Sequence, residues 1–401
     1  MPVSALVRTR NRTDSDCSQV ARNNTDSDCS QVARNNTDSD CSQVARNNAD
    51  SRRYGTASNR AVRQGGTAVA LLCAALLIAG CSQKDDASSI IRTTTNIAGA
   101  GVVGLERDTS QACPLPSAPD PSNGKTRTVT HAAGTSEVPA DPQRIVVLST
   151  SALDAACAVG LWERVVGAVP IDGPRSQPMY LGYGVLKIPA VGSPAQPDIG
   201  QIAALHPDLI IGDISSGPGG FAALQTIAPT VLADPGSGWQ TEFGTLAAGL
   251  GRRNAAATAL ENYRNEARET GNILGASQSQ ASVVRFTADQ DQVQGNNSFA
   301  GQVLADVGVQ RPTAQRGTSF EVTEQNLLEV EGDIIYVIFA GEAGEQRGKT
   351  VLRSDAWKDL GAAADKRVFA VEDTVWHGAG LTAARALLAD LRSSLNGYVT
   401  D

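Results

Sequence analysis

The sequence predicts an α/β protein of two lobes, each built on a mostly parallel sheet and joined by one long spine helix. Three observations carry this reading. β-branched runs alternate with apolar helical segments on both sides of residue 260, the pattern of parallel sheets with crossover helices. One uninterrupted helical pattern over 250–275, rich in Ala, Glu and Arg and without Pro, is longer than a local βα unit needs. The roughly 320 residues that follow the first 80 are enough for two cores.

Residues 1–61 open the chain with a twelve-residue unit repeated three times without change, at 13–24, 25–36 and 37–48. Each copy is polar, with one Val and one Ala, and cannot bury a core. Cys17, Cys29 and Cys41 recur at equal spacing but lack the paired spacing of metal ligands. The segment reads as a disordered leader or as upstream sequence read in frame, with Val62 as a candidate later start. Residues 62–80 then read as a signal peptide: Arg60 and Arg63 precede an apolar run, Thr67–Ala79, too short to span a bilayer. The run ends in Leu76-Leu77-Ile78-Ala79-Gly80-Cys81, which resembles the lipobox of bacterial lipoproteins. Small residues there fit a peptidase cleft, and the Cys81 thiol takes the lipid. The expected location is the outer face of the cell membrane, held by a lipid anchor alone.

Residues 81–125 are rich in Ser, Thr, Gly and Pro and read as a flexible tether. Gly99-Ala-Gly101-Val-Val-Gly104 matches a dinucleotide fingerprint as text, but no clear strand precedes it and a Pro-rich segment follows, so it is set aside. Of 34 basic and 42 acidic residues, the first 80 positions hold ten Arg and seven Asp, which leaves the remainder near −11. That balance argues against nucleic acid and against a polybasic membrane patch. Beyond Cys81 only Cys113 and Cys157 remain. Outside the membrane they form a disulfide or stay as two free thiols; the Pro-rich setting of Cys113 favours the bridge.

The N-terminal α/β lobe is expected over 126–249. Arg127–His131, Arg144–Leu148, Val165–Val169, Asp208–Gly212 and Thr230–Leu232 read as strands, with helices at 152–159, 202–205 and 221–227. The C-terminal lobe is expected over 276–401. Its strands are Ala281–Phe286, Ile334–Phe339 and Arg367–Val371, with helices at 298–307, 324–329, 354–362 and 380–396.

Gly134-Thr-Ser-Glu137-Val-Pro139-Ala-Asp-Pro142-Gln-Arg144-Ile-Val-Val-Leu resembles the opening of iron-siderophore substrate-binding proteins of ABC importers, the long-helix class related to cobalamin binders. Pro197-Asp198-Ile199 with Ile202-Ala-Ala-Leu205-His-Pro207-Asp208, Ile227-Ala-Pro229-Thr230-Val231, Ser282-Val-Val-Arg285-Phe286, Trp357-Lys-Asp-Leu360 and Asp373-Thr-Val-Trp376 follow in the family's order over about 126–397. The tether and the preference for Arg over Lys look most like the actinobacterial ferric-dicitrate-type lipoproteins. The resemblance implies the class III periplasmic binding fold, a monomer, and capture of a ferric siderophore between the lobes with little hinge movement. Iron enters only as part of the chelate, with no cofactor of the protein's own.

The implied ligand is large, often anionic, and carries flat chelating groups. Arg285, near a strand end, resembles the arginine that meets ligand oxygens in relatives. Trp239 and Trp376 lie in Gly-containing stretches and are candidate aromatic walls, as are Tyr180 and Tyr183. Ser149, Thr150 and Ser151 are candidate hydrogen-bonding groups, and His377 could touch the ligand or a haem iron. Relatives dock on the permease through one glutamate per lobe. Here Gly200 and Gln325 stand at the aligned positions, so Asp198 and Glu324 are the candidate substitutes.

Enzyme chemistry finds little support. His131, His206 and His377 are the only histidines and none has metal-type spacing. Gly212-Asp-Ile-Ser215-Ser-Gly217 is one residue too long for a nucleophile elbow. Haem is the alternative ligand, then cobalamin; a structural cell-envelope lipoprotein is the alternative outside transport. Terminal mass spectrometry of the unprocessed precursor tests the leader: a start at Val62 leaves no peptide from the repeats, and recovering one rules that start out.

Overall fold

The computed structural model describes residues 92–400 except 194 and 216–219. The repeats, the signal segment and Cys81 lie outside these described residues.

In the N-terminal lobe four parallel strands lie in the order Thr230–Ala233, Leu209–Asp213, Ile145–Val147, Val165–Ala168. Ile145–Val147 and Thr230–Ala233 are buried throughout, as strands covered on both faces must be. The hairpin Thr126–His131/Gly134–Pro139 is fastened to this sheet by Ser136, whose hydroxyl donates to the Thr230 carbonyl at 2.7 Å.

The C-terminal lobe carries a seven-stranded sheet in the order Phe320–Glu321, Asp291–Val293, Ala281–Phe286, Ile334–Phe339, Val368–Val371, Ala100–Val102, Asn96–Ile97. The last two strands correct the expectation of a flexible tether over 81–125. Ala100–Val102 pairs in parallel with Val368–Val371, and Asn96–Ile97 folds back on it. The supposed dinucleotide motif is part of this hairpin. Its partner strand is some 270 residues away in the chain, so local composition could not reveal it. Arg107 then pairs with Glu372 at 2.9 Å and Asp390 at 2.7 Å in the C-lobe. Cys113 is bonded to Cys157 on the N-lobe helix Thr150–Ala158. This N-terminal arm thus belongs to both lobes.

The spine helix is Arg253–Leu274, about 33 Å long at 1.5 Å per residue. Its own N-cap, Arg252, supplies no capping side chain. Asp120 of the arm does so, accepting from the backbone N–H of Arg253 at 2.7 Å and of Asn254 at 2.9 Å.

Four other elements depart from the sequence reading. Trp239–Gly249 is a helix, and Trp239 is its first residue. Gly341–Leu352 is a helix with no sequence forecast, because its glycines depress helix propensity. They serve packing: a Cβ at Gly344 would stand 2.3 Å from the Phe286 carbonyl oxygen, and one at Gly348 would stand 2.3 Å from the Phe339 ring. The helix expected over 324–329 is a short 3-10 turn, Leu327–Val330, and 354–362 splits into Asp355–Lys358 and Gly361–Ala364.

The lobes share one apolar core. Leu153 and Leu246 from the N-lobe, Leu260 and Tyr263 from the spine, and Leu304, Leu387 and Leu391 from the C-lobe belong to a single buried cluster. Replacing Cys113 and Cys157 together by Ser is expected to lower unfolding free energy by about 2–4 kcal/mol, since the bridge closes a loop of 44 residues. Urea unfolding of the non-reduced protein measures this; an unchanged midpoint would mean that the arm's other ties hold it unaided.

Candidate functional site

Parallel sheets leave a crevice where neighbouring strands send their chains in opposite directions, at the carboxyl ends. In the N-lobe that point is the end of Ile145–Val147, which has Val165–Ala168 on one side and Leu209–Asp213 on the other. Ser149, Thr150 and Ser151 stand there. Ser149 caps the helix Thr150–Ala158, its hydroxyl accepting from Ala152 N–H at 3.2 Å, and shares a 2.8 Å hydrogen bond with Ser151. Ser151 also meets Glu242, a buried carboxyl on Trp239–Gly249. Burial raises the Glu242 pKa, and Asp213, Asp154 and Asp234 add to the effect. Sequence reasoning missed Glu242 because no element was assigned to its helix.

In the C-lobe the matching point is the end of Ala281–Phe286, beside Ile334–Phe339. Arg285 lies there and holds Asp373 through Nε at 2.7 Å and Nη2 at 3.1 Å. Nη1 has no partner among the described residues. His377 is exposed beside this pair; desolvation by its surroundings lowers its pKa, the Arg285 cation adds to that, and Asp373 opposes it.

The two lobes are tied together by Asp154. This carboxylate, on the N-lobe helix, is fully buried and accepts from the backbone N–H groups of Thr382 and Ala383, both at 2.9 Å. These open the C-lobe helix Leu381–Ser394, so one lobe caps the other's helix. Burial lifts the Asp154 pKa to about 6 against the two backbone bonds. Tyr180 is buried beside it, close enough to raise its own pKa further, though its hydroxyl makes no hydrogen bond of good geometry.

Several expected site residues are placed elsewhere. Trp376 is not a wall: it ends the short helix Asp373–Trp376, is 1% exposed, packs on Tyr336 and donates its indole N–H to Asp390 at 2.9 Å. Trp239 is also buried, wedged edge-on against Tyr263 and Phe299 where the lobes join. Their glycine neighbours Gly238 and Gly380 are N-caps that open the helices Trp239–Gly249 and Leu381–Ser394. Tyr180 is likewise buried, whereas Tyr183 is exposed. Asp198 is exposed and caps Ile199–Ala204 by accepting from the N–H groups of Gly200 and Gln201. Glu324 is exposed in the turn after Phe320–Glu321. No three His, Cys, Asp or Glu side chains converge to hold a metal ion among the described residues.

Opposed strand ends across a rigid helical junction define a cleft-type binding protein. The chain matches the periplasmic binding protein family over residues 145–374 and belongs to it, with the class III fold. It is 30% identical over 289 residues to the probable siderophore-binding lipoprotein YfiY of Bacillus subtilis (strain 168), covering 68% of this chain and 88% of that protein. It is 30% identical over 278 residues to the Fe(3+) dicitrate-binding periplasmic protein FecB of Escherichia coli (strain K12), covering 66% and 88%. Staphylococcus aureus SirA, solved with staphyloferrin B, superposes with a TM-score of 0.59 at 24% identity over 68% of this chain and 99% of that one, a likeness of fold.

Because the folded state raises the Asp154 pKa from 3.8 to about 6, folding takes up a proton there in between. The contribution is complete below pH 3.8 and is lost as pH rises through 6. Unfolding free energy measured at pH 7 and pH 5 should therefore rise on acidification, and more in the wild type than in Asp154→Asn. Equal slopes would show that Asp154 is not the titrating group.

Proposed function

We propose that this chain is a lipid-anchored, extracytoplasmic binding protein that captures a ferric siderophore between its lobes and delivers it to an ABC-type importer. The observation that carries the reading is Arg285. It is a guanidinium at the C-lobe switch point, partly exposed and with donors to spare. Paired oxygens of a chelate suit that planar group. The relatives named above for siderophore and ferric-citrate binding support the ligand class, and a relative named as a lipoprotein supports the role of Cys81. Asp198 and Glu324, exposed on different lobes, are the proposed contacts with permease arginines. The shared core supports capture by a monomer with small closure and not by a wide hinge.

Tryptophan quenching by a panel of ferric hydroxamate, catecholate and carboxylate chelates, with haemin and cobalamin alongside, tests this. Saturable quenching by a ferric siderophore is expected. Arg285→Ala should weaken it about 10- to 100-fold, the loss of one charge-assisted contact, with the protein still folded. Unchanged affinity would remove Arg285 from the site. A response to haemin or cobalamin alone would reassign the ligand, and silence across the panel would end the transport reading.

A further inference from the structure

We propose that the N-terminal arm turns one end of the cleft into an annex that receives an apolar, acid-bearing substituent of the ligand. The inference rests on the binding reading above, but its walls do not come from the family-matched region alone. A cavity of about 440 Å³ lies between three segments: the arm at Val102–Thr109, the N-lobe loop at Arg175–Tyr183, and the C-lobe strand ends at Phe339 and Ala370–Glu372. The arm precedes residue 145, where the family match begins. The cavity stops one residue short of Asp373, the partner of Arg285.

Its chemistry is uneven in an informative way. The walls are apolar over about half of their surface, with Val103, Met179 and Phe339 on the apolar side and Thr109 and Glu372 on the polar side. Leu105 and Tyr183, 66% and 74% exposed, both lie on it, although large exposed apolar side chains are few among the described residues. Such side chains gain by being covered. Two cations line the space. Arg107 is held by two acids, Glu372 and Asp390, whereas Arg175 makes no ion pair and no side-chain hydrogen bond among the described residues. Apolar patches beside a guanidinium whose donors are unused suit an apolar group that carries a carboxylate or similar anion, held by direct hydrogen bonds to Arg175. The volume is at the low end for a ligand pocket, so it suits a substituent and not a whole iron chelate.

Anilinonaphthalene sulfonate, an apolar body with one anionic group, is a direct probe. Titrated into the purified full-length protein, it should show one saturable, fluorescent site. Arg175→Glu and, separately, Leu105→Asp should each weaken it at least about tenfold, while Arg353→Glu on the C-lobe surface should not. Near-identical thermal melts of the variants exclude unfolding as the cause. The ferric chelate that quenches the tryptophans should also compete with the probe. Absence of a saturable site, or equal binding by all variants, would overturn the annex. Probe and chelate bound together without mutual effect would overturn its role in ligand binding. A probe site in a protein that takes no ferric chelate would strip the annex of the proposed occupant, and the quenching panel reports that failure separately.

Discussion

The arrangement depends on the contact between Asp154 and the first turn of Leu381–Ser394. An unpaired carboxylate in an apolar core is unfavourable, and so are the orphan N–H groups of a buried helix start. Each reduces the other's penalty, but only when the two lobes stand at one separation and angle. The core around this contact draws on both lobes and on the spine, so the junction resists sliding as well as opening. The cleft is a consequence: with the backs of the lobes fused, the strand ends of both sheets face a common space that cannot be widely parted.

The arm reinforces that geometry by a different route. It adds strands to the C-lobe sheet, anchors Arg107 between Glu372 and Asp390, crosses to the N-lobe through Cys113, and caps the spine with Asp120. A segment of such polar composition has little to bury for itself. It is ordered because each of its few interacting residues satisfies a group that the lobes leave open. The buried Arg252 shows the same dependence, since its guanidinium donates to Ser117 of the arm and to Asp141.

Charge in the cleft is more balanced than the sequence suggests. Arg285 is held by Asp373, so its guanidinium is oriented and partly neutralised within the protein. Glu242, Asp213 and Asp234 gather on the facing lobe, where burial lifts Glu242 toward its neutral form. A site with these features attracts anions through directed donors and not through bulk positive potential.

Two-lobed architecture, the spine and the strand-end position of Arg285 were all legible in the sequence, because periodicity and β-branched runs report local burial, which is fixed by nearest neighbours along the chain. The cysteine pair was legible too, through compartment and count. Contacts between distant segments were not. The tether composition of 92–125 hides strands whose partner is Val368–Val371; the glycines of Gly341–Leu352 hide a helix packed on Phe286 and Phe339; and nothing local marks Trp376 as bonded to Asp390 or Asp154 as the cap of a helix more than two hundred residues later. Which aromatic groups line the cleft and which acids hold it together is decided by tertiary packing, since burial and hydrogen-bond partners across that distance depend on the whole fold and not on the neighbouring residues.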